Sequence, residues 1–232
     1  WNVNVCYVKA TRRAVHQLAP SEWRLYDSAQ VTLTRPASDT VAIATRFAAS
    51  PDKTPALQLD DMPDVAVDYT VMVPPACAVK ITQQQGPVLI YGVDGRVTAS
   101  TGDGTLTLSD ITGRAEANTS LGDVHVQNVK GDVEARSEHG ALRFDGVSGD
   151  IRAESTTGDV WIDVARRFAG EVDFHTLSGT FHSNLATFKT DLQPGDTGYV
   201  GVLRGPLADG KASSVRYEVD TESGSATVAL AR

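Results

Sequence analysis

Five side chains able to do chemistry recur in this 232-residue chain at a fixed offset from a repeated glycine. Thr107, His125, Arg143, Trp161 and His182 each stand three residues after one. Indole, guanidinium and imidazole on one surface suit binding more than bond-making, because an indole face stacks on a sugar ring and attracts a cation. Trp161 would be the anchor, with Arg143, His125 and His182 as polar contacts around it. The competing reading is a solvated strip in which Trp161 packs under a three-residue insertion at Arg167 to Ala169. A second set is acidic: Glu116 and Glu134 lie eighteen residues apart, and paired carboxylates are what glycosidic cleavage needs. They are interleaved with Arg114, Arg136 and Arg152, as on a solvated, charge-paired face. There is no nucleophile motif, no His-x-x-x-His pair and no phosphate loop. No catalytic residue, metal or cofactor is therefore assigned, and a polysaccharide lyase or hydrolase is the alternative reading.

Composition narrows the partners. The net charge is −8, whereas binding to phosphate backbones requires a basic footprint. Nucleic acid and anionic membrane surfaces are disfavoured, leaving neutral or cationic ligands: a glycan, an envelope component or another surface protein. Hydrophobic residues make up 41% and aromatics 6%, so the core has to rest on Val, Ile, Leu and Ala, a set whose β-branched members favour strands. No stretch approaches the roughly 18 apolar residues of a transmembrane helix. The chain opens at Trp1 and not at Met, so a leader or anchor ahead of it is expected to have been removed.

The elements that must position these side chains are repeats. Glycine stands every nine residues at Gly86, Gly95, Gly104, Gly113, Gly122, Gly131, Gly140, Gly149 and Gly158, and after the insertion the phase resumes at Gly170 and Gly179. Alternate nonamers resemble each other, which makes the unit eighteen residues. Two residues after the first-half glycines come Val97, Ala115, Val133, Ile151 and Val172; four after come Ala99, Ala117, Ala135, Ala153 and Phe174; six after come Thr101, Thr119, Ser137, Ser155 and Thr176. The second halves read Leu106, Val124, Leu142, Val160, Phe181 and then Leu108, Val126, Phe144, Ile162, Ser183. Polar residues fill the gaps, and this period of two means one face in and one face out. Each nonamer is a short strand and a turn, with glycine taking a positive φ at the turn. Stacked coils predict an all-β, right-handed parallel β-helix of five or six turns, since parallel crossovers are overwhelmingly right-handed. The Thr/Ser ladder reads as structural, its hydroxyls bonding backbone at the corners.

Two rival repeats fail. A left-handed hexapeptide helix needs an aliphatic every six residues, but Val97 is followed at that step by Asp103 and Ser109. A calcium-binding nonapeptide roll needs Gly-Gly-x-Gly-x-Asp, whereas here one Asp directly follows the glycine, as in Gly122-Asp123 and Gly149-Asp150.

Three segments follow: a β-rich cap or layer at 1–75, the solenoid core at 76–187, and an excursion with a closing coil at 188–232. Strands are expected at Asn2 to Val8, Ala29 to Thr34, Thr40 to Phe47 and Val65 to Val73. Cys77 holds the first glycine slot, with Val79 and Ile81 inward. Residues 188–214, rich in Pro-Gly and Asp-Gly, read as a loop that either caps the open end or binds. Tyr217, Val219 and Thr221 before Gly224, and Ala226 and Val228 after it, complete the last coil. Two cysteines are too few for a disulfide scaffold; a Cys6–Cys77 bond is the candidate pairing where the cap passes the first coil, with two separate buried thiols as the alternative.

Val67-Asp68-Tyr69-Thr70-Val71-Met72-Val73-Pro74, then Val79-Lys80-Ile81, then coils such as Gly113-Arg114-Ala115-Glu116-Ala117 and Gly122-Asp123-Val124-His125-Val126, resemble bacterial adhesin-type domains of the single-stranded β-helix kind. The likeness covers about Val65 to Asn184 and the coil around Gly224. It implies an extracytoplasmic place, in the periplasm or at the cell surface, and a non-enzymatic binding or adhesion role, and it brings no catalytic residues. An end-to-end structural polymer is a further alternative.

Overall fold

In the computed structural model, residues 6–14, 30–37, 40–46, 65–164, 170–184, 199–204 and 215–230 are described. Contacts divide the chain into two units, Trp1–Pro74 and Pro75–Arg232. Among the described residues every regular element is a strand.

Among its described residues the first unit holds two antiparallel pairs. β1 (Tyr7–Ala14) runs against β4 (Val65–Met72), and β2 (Gln30–Ala37) against β3 (Thr40–Arg46). The expected start of the first strand at Asn2 lies outside the described residues, and β1 is described from Tyr7. Arg13 Nε donates to Asp68 across β1 and β4 at 3.0 Å.

The second unit is a parallel β-solenoid in which each eighteen-residue coil gives one strand to each of two sheets. The first wall takes β5 (Val79–Gln85), β7 (Val97–Asp103), β9 (Ala115–Leu121), β11 (Val133–His139), β13 (Ile151–Ser155) and β15 (Gly170–Thr176). The second takes β6 (Val88–Val93), β8 (Leu106–Thr112), β10 (Val124–Lys130), β12 (Leu142–Asp145), β14 (Val160–Val164) and β16 (Phe181–Ser183). The expected inward ladders are the core, except at the last rung, where Phe181 is half-buried and Ser183 exposed at the end of the second wall: Val97, Ala115, Leu106, Val124, Leu142 and Val160 have no exposed surface. Ala99, Ala117, Ala135 and Ala153 are also fully buried.

The order of the last coils differs from sequence order. After Thr176 the chain makes β16, then β17 (Tyr199–Arg204), and returns as β18 (Val215–Thr221) and β19 (Ala226–Leu230). That final coil does not stack on the outer end. β18 lies between β13 and β15, and β19 between β14 and β16. Ile151 therefore pairs with Tyr217, and Tyr217 with Val172. Part of the expected 188–214 loop is a strand: β17 runs antiparallel along β15, from Glu171↔Arg204 to Thr176↔Tyr199. It covers that sheet edge as expected of a cap, because an unpaired edge invites further strand addition. The expected insertion at 167–169 lies outside the described residues.

Glycine is needed at the corners for a reason beyond φ. Gly104 has φ +150°, but Gly158 shows no left-handed φ. What the described corner glycines from Gly95 onward share is proximity to the coil stacked beneath: a Cβ on Gly113 would sit 2.7 Å from the Gly95 carbonyl oxygen, and one on Gly158 would press still closer on that of Gly140. The Thr/Ser ladder seals the same corner. Ser155 Oγ donates to the Gly140 carbonyl at 3.4 Å and accepts the Gly158 N–H at 2.9 Å; Thr176 does the same with Gly224 and Gly179. Where an Asp follows the corner glycine, it acts one coil further on. Asp123 accepts the N–H of Ala141, Asp150 that of Arg216 and Asp159 that of Ser225, each at 2.8 Å.

One wall escaped the sequence reading. Gly92, Asp110, Asn128 and Gly146 all have φ between 53° and 69°, a kink that breaks the alternation. The next residues, Val93, Ile111 and Val129, turn inward and are buried.

Candidate functional site

The outward ladder of the second wall runs Leu89, Thr107, His125, Arg143, Trp161, Thr227, His182, in parallel register. Period-two alternation aims these side chains away from the core because Leu142, Val160 and Ala226 occupy the inward slots. Trp161 is 38% exposed. Arg143 reaches Asp163 at 3.5 Å, leaving much of its guanidinium in solvent. The structure brings His125, Arg143 and Trp161 onto successive rungs. It does not bring His182 beside Trp161: Thr227 of the inserted coil stands between them. His182 Nε2 instead meets Thr180 Oγ1 at 3.2 Å.

The acidic set on the first wall is charge-paired. Arg96 and Arg114 hold Glu116 at 2.6 and 3.0 Å. Arg114 and Arg136 hold Glu134 at 2.8 and 2.9 Å, and Arg136 and Arg152 hold Glu154 at 3.1 and 2.7 Å. Arg152 goes on to Glu218 at 3.2 Å. Burial alone would raise the Glu116 pKa, but Arg96 and Arg114, with a hydroxyl from Thr98, outweigh it and hold the carboxyl below its ordinary value. Glu116 is thus held in its ionised form, which is the wrong preparation for a general acid.

An open groove of about 690 Å³ runs along the same wall, between rungs that include Asn118, Arg136, Glu154, Asp220, His175 and Glu222. Sequence reasoning missed it, because Asp220 and Glu222 reach it only through the inserted coil. Asp220 is pushed above its usual pKa by burial first and then by Glu218, against a lowering pull from His175, whose Nδ1 is 3.8 Å away. Among the described residues no group of three or more His, Cys, Asp or Glu is placed to hold a metal ion. Cys6 and Cys77 are half-buried thiols, one in each unit.

Parallel walls, corner glycines and stacked hydroxyls define a β-solenoid repeat protein whose outward side chains stand in ladders. The chain belongs to the Toastrack DUF4097 family, whose model matches residues 78–229, from the first coil through the inserted one. No curated protein and no solved structure matches it.

Proposed function

We propose that this solenoid is a non-catalytic binding or adhesion module of the periplasm or cell surface, holding glycan or other envelope material against the wall that carries Trp161. The observation that supports the reading is an indole 38% exposed on a stacked β wall, flanked by Arg143. Parallel strands on both sides fix the wall, so little ordering entropy is spent when a ring stacks on the indole. The net charge of −8 favours a neutral or cationic ligand. Against catalysis, Glu116 and Glu134 are each held by two arginines. Against end-to-end polymerisation, β17 covers one edge of the first wall.

A glycan array, followed by titration of any hit, tests the reading. Trp161→Ala is expected to weaken binding about thirtyfold, roughly 2 kcal/mol, as buried aromatic anchors do. Arg143→Ala is expected to cost less and to depend on salt. Neither should lower the melting temperature much. A sharply lowered Tm for Trp161→Ala with binding intact would make the indole packing and send the search to the groove.

A further inference from the structure

The slot on β13 and β14 fits two different coils of this chain. Val215–Leu230 occupies it, with Tyr217, Val219, Thr221, Ala226 and Val228 inward. The coil around Gly179 carries the same spacing: Val172, Phe174, Thr176, then Phe181. Its outward residues also suit the slot. Glu154 now pairs in register with Asp220, acid against acid, but one rung closer the Gly179 coil would set His175 there. Arg152, salt-bridged to Glu218, would meet Asp173 instead. The capping carboxylates of Asp150 and Asp159, now on the N–H groups of Arg216 and Ser225, would meet those of Glu171 and Thr180. What holds the observed order is the β17–β15 pairing and the Arg216–Asp173 bridge at 2.7 Å, with the buried side chains of Tyr217 and Val219.

We propose that Val215–Leu230 is an exchangeable wedge, and that when it leaves, the coil spanning β15 and β16 drops one rung, about 4.8 Å, onto β13 and β14. Five residues (165–169) separate β14 from β15; their reach of roughly 17 Å covers one rung or two. The exchange regulates the Trp161 wall, a consequence that rests on the binding role proposed above. With the wedge in, Thr227 neighbours the indole; with it out, His182 does.

Disulfide trapping in the whole protein, with Cys6→Ser and Cys77→Ser, tests the exchange without any ligand, so its failure is separate from failure of glycan binding. In the observed order Arg152 is one rung from Glu218 and two from Asp173. Two rungs, roughly 9.6 Å, exceed the span of about 7 Å that a disulfide bridges. The Arg152→Cys/Glu218→Cys pair is expected to oxidise readily. The Arg152→Cys/Asp173→Cys pair should oxidise slowly, and at least tenfold faster when Val219→Asp strands a carboxylate in the wedge and expels it. Amide protection of Val172 and Phe174 should persist in the trapped form, showing a docked coil. The proposal is overturned if the second pair stays reduced while the first oxidises. It is equally overturned if the trapped form has lost that protection. Should Val219→Asp unfold the unit, the pair without it decides.

Discussion

At the scale of single residues, the corner glycines and the residues beside them set the tightest constraints. Gly92 has φ +69° and open space around its missing side chain, so Gly92→Ala meets only backbone strain, about 1–2 kcal/mol. Gly158 lies directly under the stacked coil, where a Cβ would collide with the Gly140 carbonyl. Backbone cannot swing aside as a side chain can, so Gly158→Ala is expected to cost at least about 3 kcal/mol. Thermal melts of the two variants check the order; equal losses would mean that conformation, not contact, selects glycine. The nine-residue glycine was legible in the sequence, but its reason was only half legible. A positive φ is a property of one residue, whereas the clash at Gly158 involves a carbonyl eighteen positions away. The same limit hid Asp110 and Asn128, whose left-handed φ carries no glycine to announce it.

At the scale of the strand, alternation decides what each position tolerates. Val124 and Ala135 are fully buried, whereas His125 and Arg136 point outward between them and solvent. Val124→Asp is expected to cost several kcal/mol by stranding a carboxylate, and Ala135→Phe about 1–3 kcal/mol by overpacking a rung of alanines. His125→Ala should be nearly silent. Arg136→Ala should cost up to about 1 kcal/mol, since its bridges to Glu134 and Glu154 are half in water. Denaturant midpoints for the four variants check the pattern, and a shared midpoint would refute the phase of the repeat. Alternation was readable along β10 and β11 because apolar and polar side chains take turns there. It was not readable past Ser109, because the kink at Asp110 puts two outward residues in succession and sends Ile111 inward.

For the molecule as a whole, stability is coupled to pH at both ends of the scale, at the alkaline end through the inserted coil and at the acid end through β9. Burial, helped by the charge of Asp150, pushes Tyr217 up to about 12. The unfolded chain releases that proton near the ordinary value of 10, so between the two values the folded state binds more protons and stability falls as pH rises. The loss amounts to about 2–3 kcal/mol. Tyr217→Phe is expected to flatten that alkaline slope, which denaturation at pH 9 and pH 12 would show. Glu116 works in the opposite direction. Its lowered pKa gives stability that is present above the ordinary value of 4.5 and is lost as pH falls through the lower folded value. The sequence by itself determined the solenoid, its eighteen-residue coil, the inward ladders and the outward rank of Trp161, Arg143 and His125, because each depends on residues at a short, repeated spacing. Only the tertiary structure decided that Val215–Leu230 enters between β14 and the coil of His182, that Thr227 parts His182 from Trp161, and that β17 covers an edge of the first wall. The physical reason is the repeat itself. Coils with one inward pattern are interchangeable partners locally, so their order in space is settled by particular contacts, such as Arg216 with Asp173 and β17 with β15, that no periodicity encodes.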